Sequence, residues 1–301
     1  ETGVLDPSSN VQFGEGGAGT FSDGKLSSGI KDVRCRFVLE TFARCGGGEE
    51  ILYEAKPHIG SDRLFDTVRN LRKEIEQFGE VKFSHKLTDI IVEKGRLSAI
   101  KVQTKEGEKI FPCERLILAL GHSARDTFEM LKNRGLFMEQ KPFAMGVRVE
   151  HPQETINIGQ YGKGYNKALP AADYKLSTHL KNGRGVFSFC MCPGGQVVAA
   201  ASETGGVCTN GMSLSKRDGQ NANSAILVNV HPQDFGGQDP LAGIYLQRKI
   251  EQAAFKAGGE NYFAPIQLVG DFLKNRPSEK MGEVTPTYLP GVRFAPLESY
   301  L

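Results

Sequence analysis

Glycine is concentrated in one short segment near the start of the chain, and this segment cannot form a regular helix or strand. Four of the six residues 14–19 are glycine. Glycine makes up 36 of 301 residues overall, or about 12% where about 7% is usual. Clustered glycine indicates backbone at positive φ, or backbone that a ligand approaches closely. Ser22, Asp23 and Lys25 follow in the same turn, so we predict a loop that faces an anionic ligand. A flexible loop at the edge of an α/β sheet is the alternative.

The residues after this loop alternate between helical and strand patterns. Apolar residues recur at helical spacing over 64–78, after Ser61 as an N-capping residue. Three later runs have the character of strands separated by turns: 81–85, 87–92 and 97–102. The apolar run 116–120 predicts a strand that is buried on both faces.

A glycine turn and a second helical pattern follow this apolar run. Gly121 begins the turn, and Ser123 with Asp126 fits a capping box for a helix that contains Thr127. A strand, a turn and a helix N-terminus in this order form a corner that binds anions in α/β sheets. His122 lies in this corner, where a ligand contact and a structural hydrogen bond are equally good interpretations.

The second half of the chain consists mainly of strand patterns separated by polar loops. The strand-like segments are 144–150, 186–190, 197–201 and 226–230, and a helical segment spans 241–256. We therefore predict an α+β fold with an α/β core. The predicted domains are 1–138 and a largely β domain at 139–275, followed by a return segment at 276–301.

Two cysteines lie two residues apart on a predicted strand and are followed by Pro-Gly-Gly. The alternation of a strand places Cys190 and Cys192 on one face. Such a pair could hold a metal, supply a reactive thiol, or pack as small buried side chains, which is the commonest role of free cysteines. No second Cys or His pair at zinc-finger spacing accompanies them, so we predict no metal site. The six cysteines are spread thinly and no signal peptide is visible, so reduced thiols and a cytoplasmic location are expected.

Charge and hydropathy exclude several classes of protein. The 37 Lys and Arg residues nearly balance 35 Asp and Glu residues, and a net charge of +2 does not favour binding to nucleic acid or membranes. No apolar run reaches the about 20 residues of a membrane span. The loop 209–224 is rich in amides and hydroxyls, and Lys216 or Arg217 could hold an anionic small molecule. A solvated loop held by local turns is the alternative. No oligomeric state is predicted.

Several of these segments resemble a known family. The stretch 10–26, which contains the glycine cluster, is similar to the signature of uncharacterised bacterial FAD-dependent dehydrogenases. These are flavoproteins with the glutathione-reductase type of nucleotide-binding fold. Further similar segments extend over nearly the whole chain: 51–60, 121–128, 141–144, 188–195, 209–212, 221–224 and 261–265.

The resemblance implies roles for particular residues. The residues expected to line the flavin are Gly14, Gly16, Gly17, Gly19 and Thr20. Ser22 and Lys25 are expected to bind the polar edge of the flavin or an anion on the substrate. The residues expected near the remainder of the cofactor are Lys86, Leu87, Gly121, His122 and Ser123. The candidates for substrate binding are Lys216, Arg217, Asn221 and Asn223. The candidates for catalysis are Lys25, Cys190 and Cys192.

The resemblance also implies that two segments of the family are missing: the N-terminal turn that holds the ADP half of FAD, and a C-terminal segment that contacts the flavin. We therefore predict a partial FAD/NAD(P)-binding domain with an inserted, largely β substrate domain. On this expectation the chain is a fragment of an oxidoreductase that transfers hydride between a small molecule and FAD, with NAD(P)H as a reductant, and binds FAD poorly alone. The alternative is a flavin-free module for ligand binding or interaction.

Overall fold

The structure is a computed structural model that describes residues 5–299 and mixes helices with mainly antiparallel strands. The helices are α1 (Gly17–Thr20), α2 (Arg34–Phe42), α3 (Ser61–Ile75), α4 (Arg125–Asn133), α5 (Gln153–Tyr161), α6 (Ala242–Gly258) and α7 (Val269–Phe272). The strands are β1 (Lys86–Glu93), β2 (Arg96–Thr104), β3 (Gly107–Pro112), β4 (Phe143–Pro152), β5 (Ser177–His179), β6 (Gly185–Cys192), β7 (Gly195–Ala199), β8 (Thr209–Ser213), β9 (Asn221–Val230), β10 (Ala264–Ile266) and β11 (Val292–Phe294). The predicted α+β class is confirmed. Within residues 5–299, no helix has the length and apolar character needed to cross a bilayer.

Backbone contacts divide the chain into two units. The first unit contains the described residues up to Lys73, the segment Phe143–Val230 and the described residues from Arg248 onwards. The second unit contains Glu74–Pro142 and His231–Gln247. Helices α3 and α6 each run across a border between units. The domain borders predicted at 138 and 275 divide the chain differently and remain a prediction.

The main sheet of the first unit has the strand order β4-β9-β6-β5, with every neighbouring pair antiparallel. Strands β4 and β9 pair without a break from Phe143 opposite Val230 to Pro152 opposite Asn221. Gly146 permits this close approach, because a Cβ there would lie 2.0 Å from the Ile226 carbonyl oxygen. The hairpin β7-β8 lies in the same unit. Strands occupy the predicted segments 144–150, 186–190 and 226–230, whereas the strand predicted at 197–201 lies two residues earlier, at 195–199.

Two apolar clusters stabilise the first unit. Val197, Val207, Ala264 and Tyr288 form one cluster, against which residues from α6 pack. The other cluster consists of Ile51, Ile59 and Leu64. Because Leu64 belongs to α3, this cluster fixes the first turns of that helix. Each such buried aliphatic side chain contributes about 1.5–3 kcal/mol relative to an exposed one. Helix α3 ends at Ile75, so Phe78, which the helical pattern included, lies outside it and is exposed.

The second unit contains the antiparallel meander β1-β2-β3, with α4 packed against β1. Its buried apolar side chains are Ile90, Ala99, Val102, Ala124, Leu131, Phe235, Leu241 and Ala242. An ion pair joins β1 to the residue that follows α4, because Arg134 Nε donates to Asp89 Oδ1 at 2.6 Å. The first two strands follow the predicted pattern, whereas 81–85 is not a strand and the third strand of the meander is β3.

Two other predictions in this unit are wrong. The apolar run 116–120 is not a strand, and Ile117 is 91% exposed. A strand needs a hydrogen-bonded neighbour, and no strand within residues 5–299 pairs with this run. The capping box of Ser123 and Asp126 does not form, because α4 begins at Arg125 with Ala124 at the N-cap position and no side-chain cap.

Candidate functional site

The two cysteines lie at an irregularity in β6. Phe189 pairs with Ala225 of β9, and Cys192 pairs with Asn223. Cys190 and Met191 therefore oppose the single residue Ser224, which is the arrangement of a β-bulge. Cys190 has a φ of +48°. A non-glycine residue in this region stores about 1–3 kcal/mol of strain, and such residues cluster at functional sites.

The bulge brings both sulfur atoms close to a lysine from the first part of the chain. Lys25 Nζ lies 4.0 Å from Cys190 Sγ and 4.0 Å from Cys192 Sγ. Cys192 is completely buried, whereas Cys190 is partly exposed. The Cys192 thiol donates to the Cys190 carbonyl oxygen at 3.3 Å. The result is a dithiol beside a primary amine.

Lys25 is held in place by its own turn. Its backbone forms an isolated β-bridge with His58, and the neighbouring Leu26 N–H donates to the Pro57 carbonyl oxygen at 2.9 Å. Its ammonium group lies 3.1 Å from Asp23 Oδ2. Because the Asp23 side chain is only 1% exposed, its carboxylate is an anchor that solvent does not screen.

Asp23 also binds Arg217 through both carboxylate oxygens. Arg217 Nε donates to Oδ1 at 3.0 Å, and its Nη2 donates to Oδ2. Burial alone would raise the pKa of Asp23. The hydrogen bond from Arg217 and the positive charges of Lys25 and Arg217 outweigh burial, so this pKa lies below its ordinary value of 3.8. Asp23 is therefore a buried carboxylate that two cations keep ionised.

The turn after Cys192 is tightly packed against the same arginine. A Cβ on Gly194, whose φ is +52°, would lie 2.0 Å from the Arg217 carbonyl oxygen. The Gly219 N–H donates to the Gly194 carbonyl oxygen at 3.2 Å, and the Gly194 N–H donates to Gln153 Oε1 at 2.8 Å. These contacts connect the backbone of the cysteine segment to the backbone that carries Arg217.

A second cation approaches the cysteines from β4. Arg148 Nη1 donates to Asn223 Oδ1 at 2.7 Å and lies 3.5 Å from the Cys190 carbonyl oxygen. Within residues 5–299, Arg148 Nε and Asn223 Nδ2 are buried and have no hydrogen-bond partner. Buried donors are nearly always paired in proteins, so these two require an acceptor, such as a bound water, that the described residues do not supply.

The surroundings separate the acidities of the two thiols. The hydrogen bond from the Cys192 thiol lowers the pKa of Cys190; burial opposes this effect, and the charges of Lys25 and Arg148 add to it. The pKa of Cys190 is thereby lowered to about 6. The hydrogen bond to Cys190 and burial raise the pKa of Cys192. The first proton to leave the pair comes from Cys190, which is the thiol that solvent reaches.

The second half of the chain is similar to a described family of proteins. Residues 142–301 match the family model described as FAD-dependent protein, C-terminal domain-like. The chain belongs to this family. The matched segment contains both cysteines, Arg148 and Arg217, whereas Lys25 and Asp23 precede it.

A relative of the chain is known as well. The chain is 54% identical over 304 residues to an uncharacterized protein of Clostridium beijerinckii, in an alignment that covers 99% of this chain and 56% of that protein. The chain thus spans little more than half the length of this relative. Membership of the FAD-dependent family relates the chain to flavoproteins.

In this family member the structure brings together five of the residues that were candidates from sequence. Lys25, Cys190, Cys192, Arg217 and Asn223 form one cluster, which we call the Lys25–cysteine cluster and which also contains Asp23 and Arg148.

Three other candidates lie outside this cluster. Lys216 is exposed. Asn221 Nδ2 donates at 2.9 Å both to Glu150 Oε1 and to the Thr285 carbonyl oxygen, so its amide is used within the fold. Ser22 is used in its own turn, because its hydroxyl donates to the Gly19 carbonyl oxygen and accepts from the Gly24 N–H. None of these contacts tests binding of a ligand.

The glycine loop consists of turns and bends followed by a single turn of helix, α1. Gly14, Gly16 and Gly17 have positive φ, as the clustering indicated, whereas Gly19 lies in α1, which ends at the buried Thr20. The spacing of residues 14, 16 and 19 matches G-x-G-x-x-G. Residues 7–15 form turns and bends instead of a strand, and α1 has only four residues. The strand–turn–helix context that gives this motif its dinucleotide-binding function is therefore not found here.

The glycine loop nevertheless leaves room for a cofactor to approach its backbone closely. A Cβ on Gly14 or Gly19 would meet no heavy atom within 4 Å, so no part of the described chain fills the space above these residues. Open glycine backbone of this kind permits a planar ring or a phosphate to contact the main chain directly.

The remaining cofactor candidates belong to the second unit. Lys86 Nζ lies 2.5 Å from Asp126 Oδ2, and Ser123 Oγ lies 3.2 Å from His122 Nδ1. Leu87 lies in β1, and Gly121 has a φ of +70°. Binding of FAD at Lys86, Leu87, Gly121, His122 and Ser123 remains a prediction.

Two residues of the cluster were not among the predicted site residues. Arg148 is the only cation in the otherwise apolar segment 143–149, and a partly buried charge in such a segment requires a partner. Asp23 lies in the predicted loop, but its partner Arg217 is 194 residues away. No local pattern connects residues at that separation.

Proposed function

We propose that this chain is part of an FAD-dependent oxidoreductase that transfers hydride between FAD and a small-molecule substrate. The observation that supports this best is the Lys25–cysteine cluster in a member of the FAD-dependent family. A lysine anchored on a buried carboxylate beside two thiols is a positively charged environment with redox-competent side chains.

The glycine backbone is the proposed contact surface for the flavin. Bound FAD supplies the group that accepts or donates hydride, and NAD(P)H is the proposed reductant. The residues proposed to hold the flavin are Gly14, Gly16, Gly17, Gly19 and Thr20. The open space at Gly14 and Gly19 supports this assignment, because a side chain at either position would occupy the space that a ring requires.

The chain's own residues have separate tasks in this proposal. The Lys25 ammonium group donates a hydrogen bond to an anionic group, and its pairing with Asp23 keeps it in position. The Arg148 guanidinium, whose Nη1 donates to the Cys190 carbonyl oxygen at 3.5 Å, supplies a second positive charge at the same end of β6. These two cations would orient an anionic substrate.

The proposal is tested by the ultraviolet–visible spectrum of the protein as its organism makes it, followed by titration with FAD. We expect the absorbance bands of bound oxidised flavin, and their bleaching when NADH or NADPH is added without oxygen. A protein that neither retains nor binds FAD would overturn the proposed function.

Lys25→Met is expected to weaken FAD binding about tenfold, because a charge-assisted hydrogen bond contributes about 1.5–3 kcal/mol. The dissociation constant is measured by quenching of flavin fluorescence. Lys31→Met removes the same charge from an exposed lysine nearby and is expected to leave the constant unchanged. Equal constants for the Lys25 variant and the native protein would remove Lys25 from the flavin site.

A further inference from the structure

We infer that Cys190 and Cys192 form a thiol–disulfide redox pair that reduces small anionic disulfides, with Cys190 as the attacking thiol and Cys192 as the resolving thiol. This inference rests on the proposed function only for the source of the electrons that restore the pair. The thiol chemistry itself belongs to residues of this chain.

Cys190 has the position and the surroundings of an attacking thiol. It is partly exposed, so a small molecule can reach it at the end of β6. Lys25 Nζ at 4.0 Å and the Arg148 side chain stabilise negative charge on its sulfur. The thiolate is the form that attacks a disulfide.

Cys192 has the complementary properties. It is completely buried, so an external disulfide cannot reach it. In a regular strand, residues i and i+2 stand about 6.6 Å apart along the chain, whereas a disulfide needs Cβ atoms about 3.8 Å apart. The bulge and the positive φ of Cys190 break this regular spacing, and both sulfur atoms lie 4.0 Å from the same Lys25 Nζ. On this inference, the strained backbone at Cys190 serves to bring the two sulfur atoms together.

The reaction consists of two successive thiol–disulfide exchanges. The Cys190 thiolate attacks one sulfur of the substrate disulfide, the substrate S–S bond breaks, and the first substrate thiolate leaves. Cys192 then attacks Cys190 Sγ in the mixed disulfide, and the second substrate thiolate leaves while a Cys190–Cys192 disulfide forms. The Cys192 proton goes to a departing thiolate, and one proton from solvent completes the second thiol. The dithiol has lost two electrons, which the reduced flavin of the proposed function returns.

The charges around the pair favour an anionic substrate. Lys25 and Arg148 face Cys190, and the carboxylate of Asp23, which also influences it, is already bound by Arg217. The net field at the Cys190 sulfur is therefore positive. A disulfide that carries carboxylates is attracted to this field, whereas a neutral disulfide gains nothing from it.

The test uses two probes that differ in charge: dithionitrobenzoate, an aromatic disulfide with carboxylates, and dithiodipyridine, which is neutral. In stopped-flow absorbance the native protein is expected to release about two equivalents of thionitrobenzoate in a rapid phase and to retain no adduct at Cys190 or Cys192 by peptide mass spectrometry. Cys192→Ser is expected to release about one equivalent and to retain the mixed disulfide. Cys190→Ser is expected to slow the rapid phase at least about a hundredfold.

Two further variants separate chemistry from structure. Cys35→Ser changes a partly exposed cysteine outside the cluster, and its rapid phase is expected to equal that of the native protein. Lys25→Met is expected to slow the anionic probe more than the neutral probe and to shift the pH profile of the rapid phase upwards; Lys25→Arg restores both. The groups that face Cys190 in this profile are Cys192, Lys25, Arg148 and Asp23.

A rapid phase that persists in Cys190→Ser, or a Cys192→Ser variant that retains no adduct, would overturn the inference. Because the exchange with these probes requires no flavin, these outcomes are independent of the proposed function. A protein that shows the thiol chemistry but binds no FAD would refute the proposed function and leave the exchange reactions standing.

Discussion

Gly194→Ala is expected to lower the free energy of unfolding by about 3 kcal/mol. The φ of +52° is a left-handed conformation, which costs an alanine about 1–2 kcal/mol. The added Cβ would also lie 2.0 Å from the oxygen and 2.2 Å from the carbon of the Arg217 carbonyl group. Because the overlapping atoms are backbone, no rotamer change relieves the overlap, which adds about 1–3 kcal/mol. The measurement is urea unfolding followed by far-ultraviolet circular dichroism.

Gly183→Ala separates the two causes. Gly183 has a φ of +80°, and a Cβ there would meet no heavy atom within 4 Å. This control therefore incurs the conformational strain without the overlap and is expected to destabilise the protein by about 1–2 kcal/mol. Equal losses in both variants would show that the approach of Gly194 to Arg217 contributes nothing to stability.

Asp23→Ala is expected to lower the free energy of unfolding by about 3–5 kcal/mol, which is the usual result of removing one partner of a buried ion pair. The Arg217 side chain is only 18% exposed and would lose both of its hydrogen bonds to the carboxylate. Lys25 would lose its anchor at 3.1 Å. The measurement is the midpoint and slope of urea unfolding at neutral pH.

An exposed ion pair is the matched control for this substitution. Asp66 pairs with Arg69 on the surface of α3 at 2.8 Å, with both side chains more than half exposed. Exposed pairs contribute little to stability because water and salt screen them. Asp66→Ala is therefore expected to change the unfolding midpoint far less than Asp23→Ala. Similar midpoints for the two variants would contradict the assignment of Asp23 as the anchor of the cluster.

The contribution of Asp23 also predicts a dependence on pH. Its pKa is lower in the folded protein than the ordinary value of 3.8, so its folded-state interactions contribute fully above about pH 3.8. This contribution decreases as the pH falls through the lowered pKa. The difference in unfolding free energy between the native protein and Asp23→Ala is thus expected to be constant near neutral pH and to shrink in acid. A constant difference at all pH values would argue against an ionised Asp23.

Local sequence patterns were sufficient for the elements that depend on local preference and on one buried face. The alternation at 87–92 and 97–102 identified β1 and β2, and the helical spacing after Ser61 identified α3. The clustered glycines at 14, 16 and 17 indicated positive φ correctly. These features follow from side-chain periodicity and backbone sterics within a few residues, so they can be deduced from the sequence alone.

Patterns failed where a neighbour in space decides the structure. The run 116–120 has the composition of a buried strand, but strand formation requires hydrogen-bonded partners, which composition does not specify. Cys190 and Cys192 were expected on a regular strand, whereas pairing with β9 places a bulge at Cys190.

The sequence by itself determined the class of fold, the family resemblance and the residue types with reactive or charged groups. Only the tertiary structure decided which of them meet: Lys25 reaches cysteines more than 160 residues away, and Asp23 reaches Arg217 across 194 residues. Local preferences act over a few residues, but a buried carboxylate must find its cation wherever the packing of the strands and loops places one.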